Sequence, residues 1–209
     1  MLLLGAYVLL IGYLLGSIPF GYLAGKLSGI DVRQHGSGNI GATNVLRVLG
    51  KPWGFGVFFA DALKGFAAVR IALWLVSVSA VAHESTELFG IFAAIACVAG
   101  HSFPVWLRFK GGKGVATSAG SLFGIVPIAA TTVFLVWLVV FLTTRYVSVA
   151  SIAGALALPL VVGVLIRLHM SHSVVLLYFS AAMTALVVWR HRSNISRLLA
   201  GTEQRFTRR

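Results

Sequence analysis

Runs of about 20 apolar residues recur along this chain of 209 residues, and each is long enough to cross a lipid bilayer as a helix. Such runs cover residues 2–24, 55–82, 88–107, 147–166 and 174–189. The composition agrees, because 58% of the residues are hydrophobic and 11% are charged, against about 45–50% and 25% in soluble domains. We therefore predict an all-α polytopic membrane protein. The composition argues against a soluble nucleotide-binding fold. A disulfide scaffold is excluded, since Cys97 has no second cysteine to pair with.

The charge is strongly positive, with 17 Lys and Arg against 5 Asp and Glu. Nucleic-acid binding is one interpretation of such a balance. Positive cytoplasmic loops explain it better in a membrane protein, so we expect no nucleic-acid partner. They do not explain why carboxylates are so scarce. That scarcity points to anionic ligands near the loops.

The sidedness of the chain follows from its loop charges. Basic residues concentrate in the loops 26–52 and 108–114 and in the tail 190–209, which carries six Arg and one Glu. These segments are predicted to be cytoplasmic. The acidic connection 83–87 then lies outside, together with the N-terminus. The first apolar run has neither a basic n-region nor a small-residue cleavage site, so we interpret it as a membrane span. Pro19 is expected to kink this span.

The runs 147–166 and 174–189 are two crossings, so Arg145 must lie on the same side of the membrane as the tail. If the tail is cytoplasmic, the apolar stretch 115–142 must leave the cytoplasm and return to it. Its 28 residues are too few for two full crossings of about 20 residues each. Two short or tilted helices that break near Gly124 to Pro127 would solve this. The prediction is then about seven transmembrane helices, two of them short, in one integral membrane domain over residues 1–209. The alternative is one long helix here and six crossings in all.

The first polar segment, residues 36–47, reads GSGNIGATNVLR. Its closely spaced glycines let backbone N–H groups approach an anion. Small polar side chains and one guanidinium, which can bind phosphate through two hydrogen bonds, accompany them. The side chains predicted to bind substrate here are Ser37, Asn39, Thr43, Asn44 and Arg47. The alternative is an ordinary flexible loop between spans.

The second polar segment contains GHSFP at residues 100–104 and KGGKGVAT at residues 110–117. It precedes a predicted helix N-terminus, where free N–H groups and the helix dipole hold phosphate. The spacing is not that of a Walker A loop, because Gly114 follows Lys113. We predict another kind of phosphate cradle, formed by Gly111, Gly112, Lys113, Gly114 and Thr117. The alternative is a basic turn that fixes sidedness.

A third group of polar residues surrounds the last two apolar runs. Arg145 precedes Ser148 and Ser151, which share a helical face. His191, Asn194 and Arg197 have the same spacing after the last run, and Glu203 and Arg205 follow. These residues form either a binding site or an interfacial helix that binds anionic lipid, and the pattern favours neither.

Several other chemistries lack their residues. CxxC and HExxH are absent, so we expect no metal and no cofactor, with His169 and His172 at the membrane interface. No His is followed by Asp five positions later, and carboxylates are too few for an aspartate-rich magnesium motif. Asp61 and Lys64 are expected to pair, because a charge inside a membrane is costly alone. Cys97 and His101 are interpreted as packed interior groups.

The chain resembles the bacterial acyl-phosphate:glycerol-3-phosphate acyltransferases. The resemblance rests on residues 36–47, 100–104 with 109–117, 145–151 and 191–203, in order and without departure from the family's motifs. It implies a seven-helix inner-membrane enzyme whose site lies at the cytoplasmic face. The implied reaction moves a fatty acyl group from acyl phosphate to the sn-1 hydroxyl of glycerol 3-phosphate. The products are 1-acyl-glycerol 3-phosphate and phosphate, at the start of phospholipid synthesis.

The resemblance also implies roles for individual residues. Ser37, Lys113, His191 and Asn194 are expected to be the catalytic residues. Ser151 is expected to line the site with them, and Arg47 to clamp a phosphate. Either His191 or a phosphate oxygen of the donor accepts the hydroxyl proton. Membrane lipid is an expected partner, and the soluble phosphate acyltransferase that supplies acyl phosphate is another.

Two other classes of protein remain open from the residues alone. A membrane transporter of a phosphorylated metabolite would also use broken helices and glycine loops. It predicts polar groups near the bilayer midplane and an inverted repeat, and neither is evident in the sequence. A lipid-binding scaffold would not need the Gly-Gly-Lys-Gly segment.

Overall fold

The computed structural model describes residues 1–79, 86–170 and 174–206, and the regular structure in these ranges is entirely helical. The prediction of an all-α protein is therefore confirmed. The chain divides into two compact units, residues 1–125 and 126–209. The single domain over the whole chain stays a prediction. Glu84 of the outer connection and His172 lie outside the described residues.

The first unit consists of helices that begin and end near the polar loops. Two short 3-10 helices, Val32–Gln34 and Val105–Leu107, lie within those loops. The α-helices are α1 (Leu2–Ser17), α2 (Phe20–Leu27), α3 (Ala42–Leu49), α4 (Lys51–Ser77), α5 (Thr86–Ser102) and α6 (Val115–Ile125).

The second unit consists of longer apolar helices and a short polar one. They are α7 (Pro127–Thr144), α8 (Val147–Arg167), α9 (Val174–Arg190) and α10 (Arg192–Leu199). α8 packs against both α7 and α9. The chain after α10 returns to the start of α8, where the Phe206 N–H donates a 3.0 Å hydrogen bond to the Arg145 carbonyl.

Several helical segments in the described ranges are long and apolar enough to cross a membrane. They are Leu2–Leu27, Thr86–Leu107, Pro127–Thr144 and Val147–Arg167. α9 and α10, which meet at a bend of 55°, make a fifth if they are taken as one span. α4 has 27 residues but contains charged groups, and α6 has 11. The chain is therefore built as an integral membrane protein, and its seven crossings stay a prediction.

Both helix breaks expected from proline are present. Ile18 is extended between α1 and α2, and Val126 separates α6 from α7, where Pro127 occupies the first turn. The residue before proline avoids the helical region, and proline has no N–H to continue a hydrogen-bond ladder. The predicted break near Gly124 to Pro127 is therefore confirmed.

Small residues let the helices of the first unit approach closely. A side chain at Gly16 of α1 would overlap the Cys97 carbonyl of α5, and one at Gly65 of α4 would overlap the Thr117 carbonyl of α6. Membrane helices associate through such contacts, because apolar side chains gain little by leaving lipid. α5 is thereby enclosed by its neighbours, and Cys97 is fully buried, as expected for a packing residue.

Candidate active site

Hydrogen bonds made by the side chain of Asn44, a buried residue of α3, hold the first polar segment in shape. Its Oδ1 accepts a 2.8 Å hydrogen bond from the Ser37 N–H. Its Nδ2 donates to the carbonyls of Val32, at 3.0 Å, and His35, at 3.1 Å. These contacts support a role in shaping the loop, whereas the sequence alone predicted direct substrate binding by Asn44.

The other residues predicted to bind substrate in this segment lie near the hydrogen bonds made by Asn44. The Ser37 side chain is exposed, and Asn39, Thr43 and Arg47 are partly buried. Asn39 Oδ1 accepts a 2.9 Å hydrogen bond from the Gly41 N–H, immediately before α3 begins. Arg47 lies in the last turn of α3. The segment thus presents its hydroxyl to solvent on a loop that two asparagines stabilise.

The glycine loop Gly111–Gly114 is attached directly to the end of α5. The Gly111 N–H donates to the Ser102 carbonyl at 3.2 Å, and the Gly112 N–H donates to the His101 carbonyl at 3.1 Å. A Cβ at Gly111 would overlap the His101 carbonyl, and one at Gly112 would overlap the His101 ring. Glycine is therefore required at both positions by the close approach of the loop to α5.

α6 begins immediately after this loop. Gly114 has a φ of +80°, in the region that favours glycine, and Val115 is the first helical residue. The hydroxyls of Ser102 and Thr117 are fully buried here and make no hydrogen bond within the described ranges. Buried hydroxyls are nearly always hydrogen-bonded. An anion at the N-terminus of α6 would accept the hydrogen bonds that these two hydroxyls can donate.

The two polar segments of the first unit lie at the same end of it. Val32, Ile40 and Leu107 form one buried apolar cluster. Ile40 belongs to the first polar segment, and Leu107 precedes the glycine loop. The structure therefore brings together the two predicted segments of this unit, which are about 70 residues apart in sequence.

In the second unit, Glu203 collects three of the predicted site residues. Its Oε1 accepts hydrogen bonds from Ser148 Oγ, at 2.9 Å, and Asn194 Nδ2, at 2.6 Å. Its Oε2 accepts a 2.7 Å hydrogen bond from Arg197 Nε. Residues from the start of α8, from α10 and from the tail thus meet at one carboxylate.

Glu203 stays ionised because of these contacts. Burial by itself would raise its pKa, but the hydrogen bonds from Asn194, Arg197 and Ser148 outweigh burial and hold the pKa below its ordinary range. A carboxylate that accepts several hydrogen bonds fixes the side chains that donate them.

His191 lies at the bend between α9 and α10 and is buried. Its Nδ1 donates a 2.8 Å hydrogen bond to the Val187 carbonyl. In the neutral ring this places the lone pair on Nε2. The fixed ring can therefore accept a proton or a hydrogen bond at Nε2.

Ser151 is buried one turn after Ser148 on α8. Its Oγ donates to the Val147 carbonyl at 2.7 Å and accepts a 3.3 Å hydrogen bond from Trp137 Nε1 of α7. Both serines therefore face the polar interior of the second unit. The predicted residues occupy both units, and their union in a single site stays a prediction.

The similarity of this chain to known proteins extends over nearly its whole length. Residues 6–201 match the sequence profile of a family described as glycerol-3-phosphate acyltransferase. A glycerol-3-phosphate acyltransferase of Aquifex aeolicus is 46% identical over 206 residues, which cover 96% of this chain and 98% of that protein. One from Desulforamulus reducens is 45% identical over 204 residues, covering 97% and 92%. The chain belongs to the glycerol-3-phosphate acyltransferase family.

Solved structures of this family support the same assignment. One is a crystal structure of PlsY (YgiH), an integral membrane glycerol 3-phosphate acyltransferase, in its glycerol 3-phosphate form. It is 44% identical, covers 97% of this chain and 96% of its own, and superimposes with a TM-score of 0.86. The family resemblance inferred from the motifs is therefore confirmed, together with an all-helical membrane architecture.

In this member of the glycerol-3-phosphate acyltransferase family, local sequence patterns do not reveal the contacts of two polar groups. Glu203 is the one carboxylate among six arginines of the tail, and this contrast is the only signal in the sequence that distinguishes it. His101 was interpreted as a packed group, but its Nδ1 lies 3.4 Å from Asp61 Oδ1. The expected pairing of Asp61 with Lys64 is confirmed at 2.8 Å.

Proposed function

We propose that this protein transfers a fatty acyl group from acyl phosphate to the sn-1 hydroxyl of glycerol 3-phosphate. The products would be 1-acyl-glycerol 3-phosphate and inorganic phosphate, which begins phospholipid synthesis. Family membership over residues 6–201 supports glycerol 3-phosphate as the acceptor. The glycine loop before α6, with buried hydroxyls that lack partners among the described residues, is the observation that carries the proposal of a phosphate-bearing donor.

Lys113 and the amides of Gly111–Gly114 would hold the acyl phosphate group. The helix dipole of α6 adds to the positive potential at this point. Ser102 and Thr117 can donate hydrogen bonds to the same anion. As the acyl carbonyl is attacked, these donors would stabilise the negative charge that develops, without rearranging.

Glycerol 3-phosphate would be oriented by Arg47, His191 and Asn194. A guanidinium suits a phosphate, because two parallel N–H donors match two phosphate oxygens. Ser37 and Ser151 supply further hydroxyls. The remaining predicted contacts are those of Asn39, Thr43, Ser148 and Arg197. Glu203 supports this group by fixing Ser148, Asn194 and Arg197.

The chemistry needs no covalent enzyme intermediate, because acyl phosphate is a mixed anhydride with a good leaving group. The sn-1 oxygen attacks the acyl carbonyl carbon, and the bond from that carbon to the phosphate oxygen breaks. The hydroxyl proton leaves with the departing phosphate, which is the better supported acceptor since it needs no further residue. Nε2 of His191 is the alternative base. Positioning and charge stabilisation then supply most of the rate enhancement.

The topology that fits this reaction has seven crossings, an outer N-terminus and a cytoplasmic C-terminus in a bacterial inner membrane. The segment Leu2–Leu27 and helices α4, α5, α6, α7, α8 and α9 are the seven candidates. A site at the cytoplasmic boundary lets the acyl chain remain in lipid. It also admits acyl phosphate from a soluble phosphate acyltransferase that docks there.

The test is an assay with defined substrates. Purified protein in detergent is incubated with glycerol 3-phosphate and palmitoyl phosphate, and phosphate and lysolipid are measured. Both should appear in equal amounts, and palmitoyl thioesters should give neither product. A transporter of phosphorylated metabolites would instead accumulate glycerol 3-phosphate in proteoliposomes without releasing phosphate, and that result would contradict the proposal.

A further inference from the structure

Three ionisable side chains meet in the interior of the first unit. Asp61 and Lys64 belong to α4 and His101 to α5, and each is at most 5% exposed. Lys64 Nζ lies 2.8 Å from Asp61 Oδ1, and His101 Nδ1 lies 3.4 Å from the same oxygen. Asp61 is therefore shared between a cation and an imidazole.

The cluster is also tied to the break between α1 and α2. Lys64 Nζ donates a 2.9 Å hydrogen bond to the carbonyl of Ile18. That carbonyl precedes Pro19, where the helical hydrogen-bond pattern is interrupted. Lys64 thereby has two fixed partners, and its charge holds Asp61 at a defined place in α4.

Stability alone does not explain such a cluster. Buried ion pairs contribute little net stability compared with apolar residues of similar volume, because both charges lose their hydration. Ionisable groups inside membrane proteins are costly and are retained mainly for function. The helix contacts around the cluster already pack through Gly65 and Gly120, which need no ion pair.

The imidazole of His101 connects the cluster to the glycine loop. A Cβ at Gly112 would overlap His101 Nε2, so the ring lies directly against the Gly112 backbone. The Gly112 N–H also donates to the His101 carbonyl at 3.1 Å. One side of the ring thus faces Asp61 and the other faces the residue that precedes Lys113.

We propose that Asp61, held in place by Lys64, is a positioning residue for the Gly111–Gly114 loop and acts through the ring of His101. The carboxylate fixes the ring, and the ring fixes the backbone that carries Lys113. A shift of about 1 Å in a positioning group can cost up to about 100-fold in rate. The expected change in enzyme kinetics rests on the proposed function. The expected change in the order of the Gly111–Gly114 loop does not.

Asp61→Asn tests the carboxylate with little change in shape. The kinetic expectation is a KM for acyl phosphate raised about tenfold or more, with the KM for glycerol 3-phosphate changed less than about twofold. Loss of folded enzyme would lower the yield of active protein and leave both KM values unchanged. Asp61→Glu, which restores a carboxylate, should recover part of the loss.

Two further variants separate positioning from folding. Asp61→Asn leaves Lys64 charged and buried, so Asp61→Asn combined with Lys64→Met removes the pair together and avoids a lone charge. Cys97→Ala is the matched control, because Cys97 is also buried and its Sγ lies 3.6 Å from the Lys64 carbonyl. The control removes packing without changing the ion pair.

Hydrogen exchange of the protein in detergent gives a readout that needs no activity. The Gly112 amide should exchange about tenfold faster or more in the Asp61→Asn, Lys64→Met protein, while amides in the middle of α4 and α5 keep their protection. Cys97→Ala should not change exchange at Gly112. Exchange at Gly112 as in the unsubstituted protein would overturn the inference, even if no acyltransferase activity were found.

Discussion

Asn194 Nδ2 donates a hydrogen bond of 2.6 Å to Oε1 of Glu203, nine residues later in the chain. The same oxygen accepts a hydrogen bond from Ser148, and the second carboxylate oxygen accepts one from Arg197. All three partners are donors. The carboxylate therefore cannot be replaced by a group that offers fewer acceptor oxygens without leaving a donor unpaired.

Glu203→Gln should lower kcat/KM about tenfold or more. Glutamine keeps one acceptor oxygen and places an amide donor against either Arg197 or the pair formed by Ser148 and Asn194. Loss of one charged hydrogen bond costs about 1.5–3 kcal/mol. Initial rates and the melting temperature should be compared with those of Ser196→Ala, an exposed position on α10. Equal rates in both variants would show that Glu203 does not support the site.

The lowered pKa of Glu203 predicts a pH dependence of stability. A carboxylate whose pKa is lower in the folded state stabilises the protein fully above its ordinary pKa of 4.5. That stabilisation is lost as the pH falls through the lower folded value. The difference in melting temperature between the unsubstituted protein and Glu203→Gln should therefore be constant near neutral pH and shrink in acid. A difference that grows in acid would contradict this sign.

Lys113→Ala should lower kcat/KM for acyl phosphate by about 100- to 1,000-fold, a loss on the order of 3 kcal/mol of transition-state stabilisation, which is the usual effect of removing one oxyanion donor. Lys110→Ala is the control, since Lys110 is exposed and precedes the glycine loop. Steady-state rates with palmitoyl phosphate as the varied substrate measure both. Near-normal activity of Lys113→Ala would remove the proposed phosphate cradle.

His191→Ala distinguishes the two proposed bases. If the departing phosphate accepts the proton, most turnover should remain at saturating substrate, and the KM for glycerol 3-phosphate should rise. His191→Asn provides the companion variant, because an asparagine amide can still donate to the Val187 carbonyl but cannot act as a base near neutral pH. Loss of kcat by several orders of magnitude in both variants would identify His191 as the base.

Gly65→Ala should destabilise the first unit, because the new Cβ would overlap the Thr117 carbonyl of α6. A backbone carbonyl in a packed helix cannot move aside as a flexible side chain does. Gly56→Ala in the same helix meets nothing within 4 Å and should be neutral or stabilising by up to about 1 kcal/mol. The melting temperatures of the two variants in detergent should differ in this direction. A stable Gly65→Ala protein would show that α4 and α6 are less closely packed.

Local sequence rules predicted much of the architecture. Apolar runs of bilayer length placed the long helices, and Pro19 and Pro127 located two breaks that the structure contains. The pairing of Asp61 with Lys64 followed from a spacing of three residues in a helix. Each of these inferences depends on neighbours within a few residues, which the sequence displays directly.

The contacts of Asn44, Glu203 and His101 could not be found in this way. Asn44 resembles a ligand group in the motif, but its amide holds the loop through carbonyls up to 12 residues away. Glu203 is 55 residues from Ser148, and Asp61 is 40 residues from His101. No local pattern specifies which polar group lies opposite another across such separations.

The sequence by itself determined a helical membrane protein with glycine-rich polar loops, because hydrophobic length and backbone restrictions act on adjacent residues. The tertiary structure decided which polar atoms satisfy one another. That choice depends on close packing at glycines such as Gly65 in α4 and Gly112 in the glycine loop, where the lack of a side chain lets distant backbone and polar groups come within hydrogen-bonding distance.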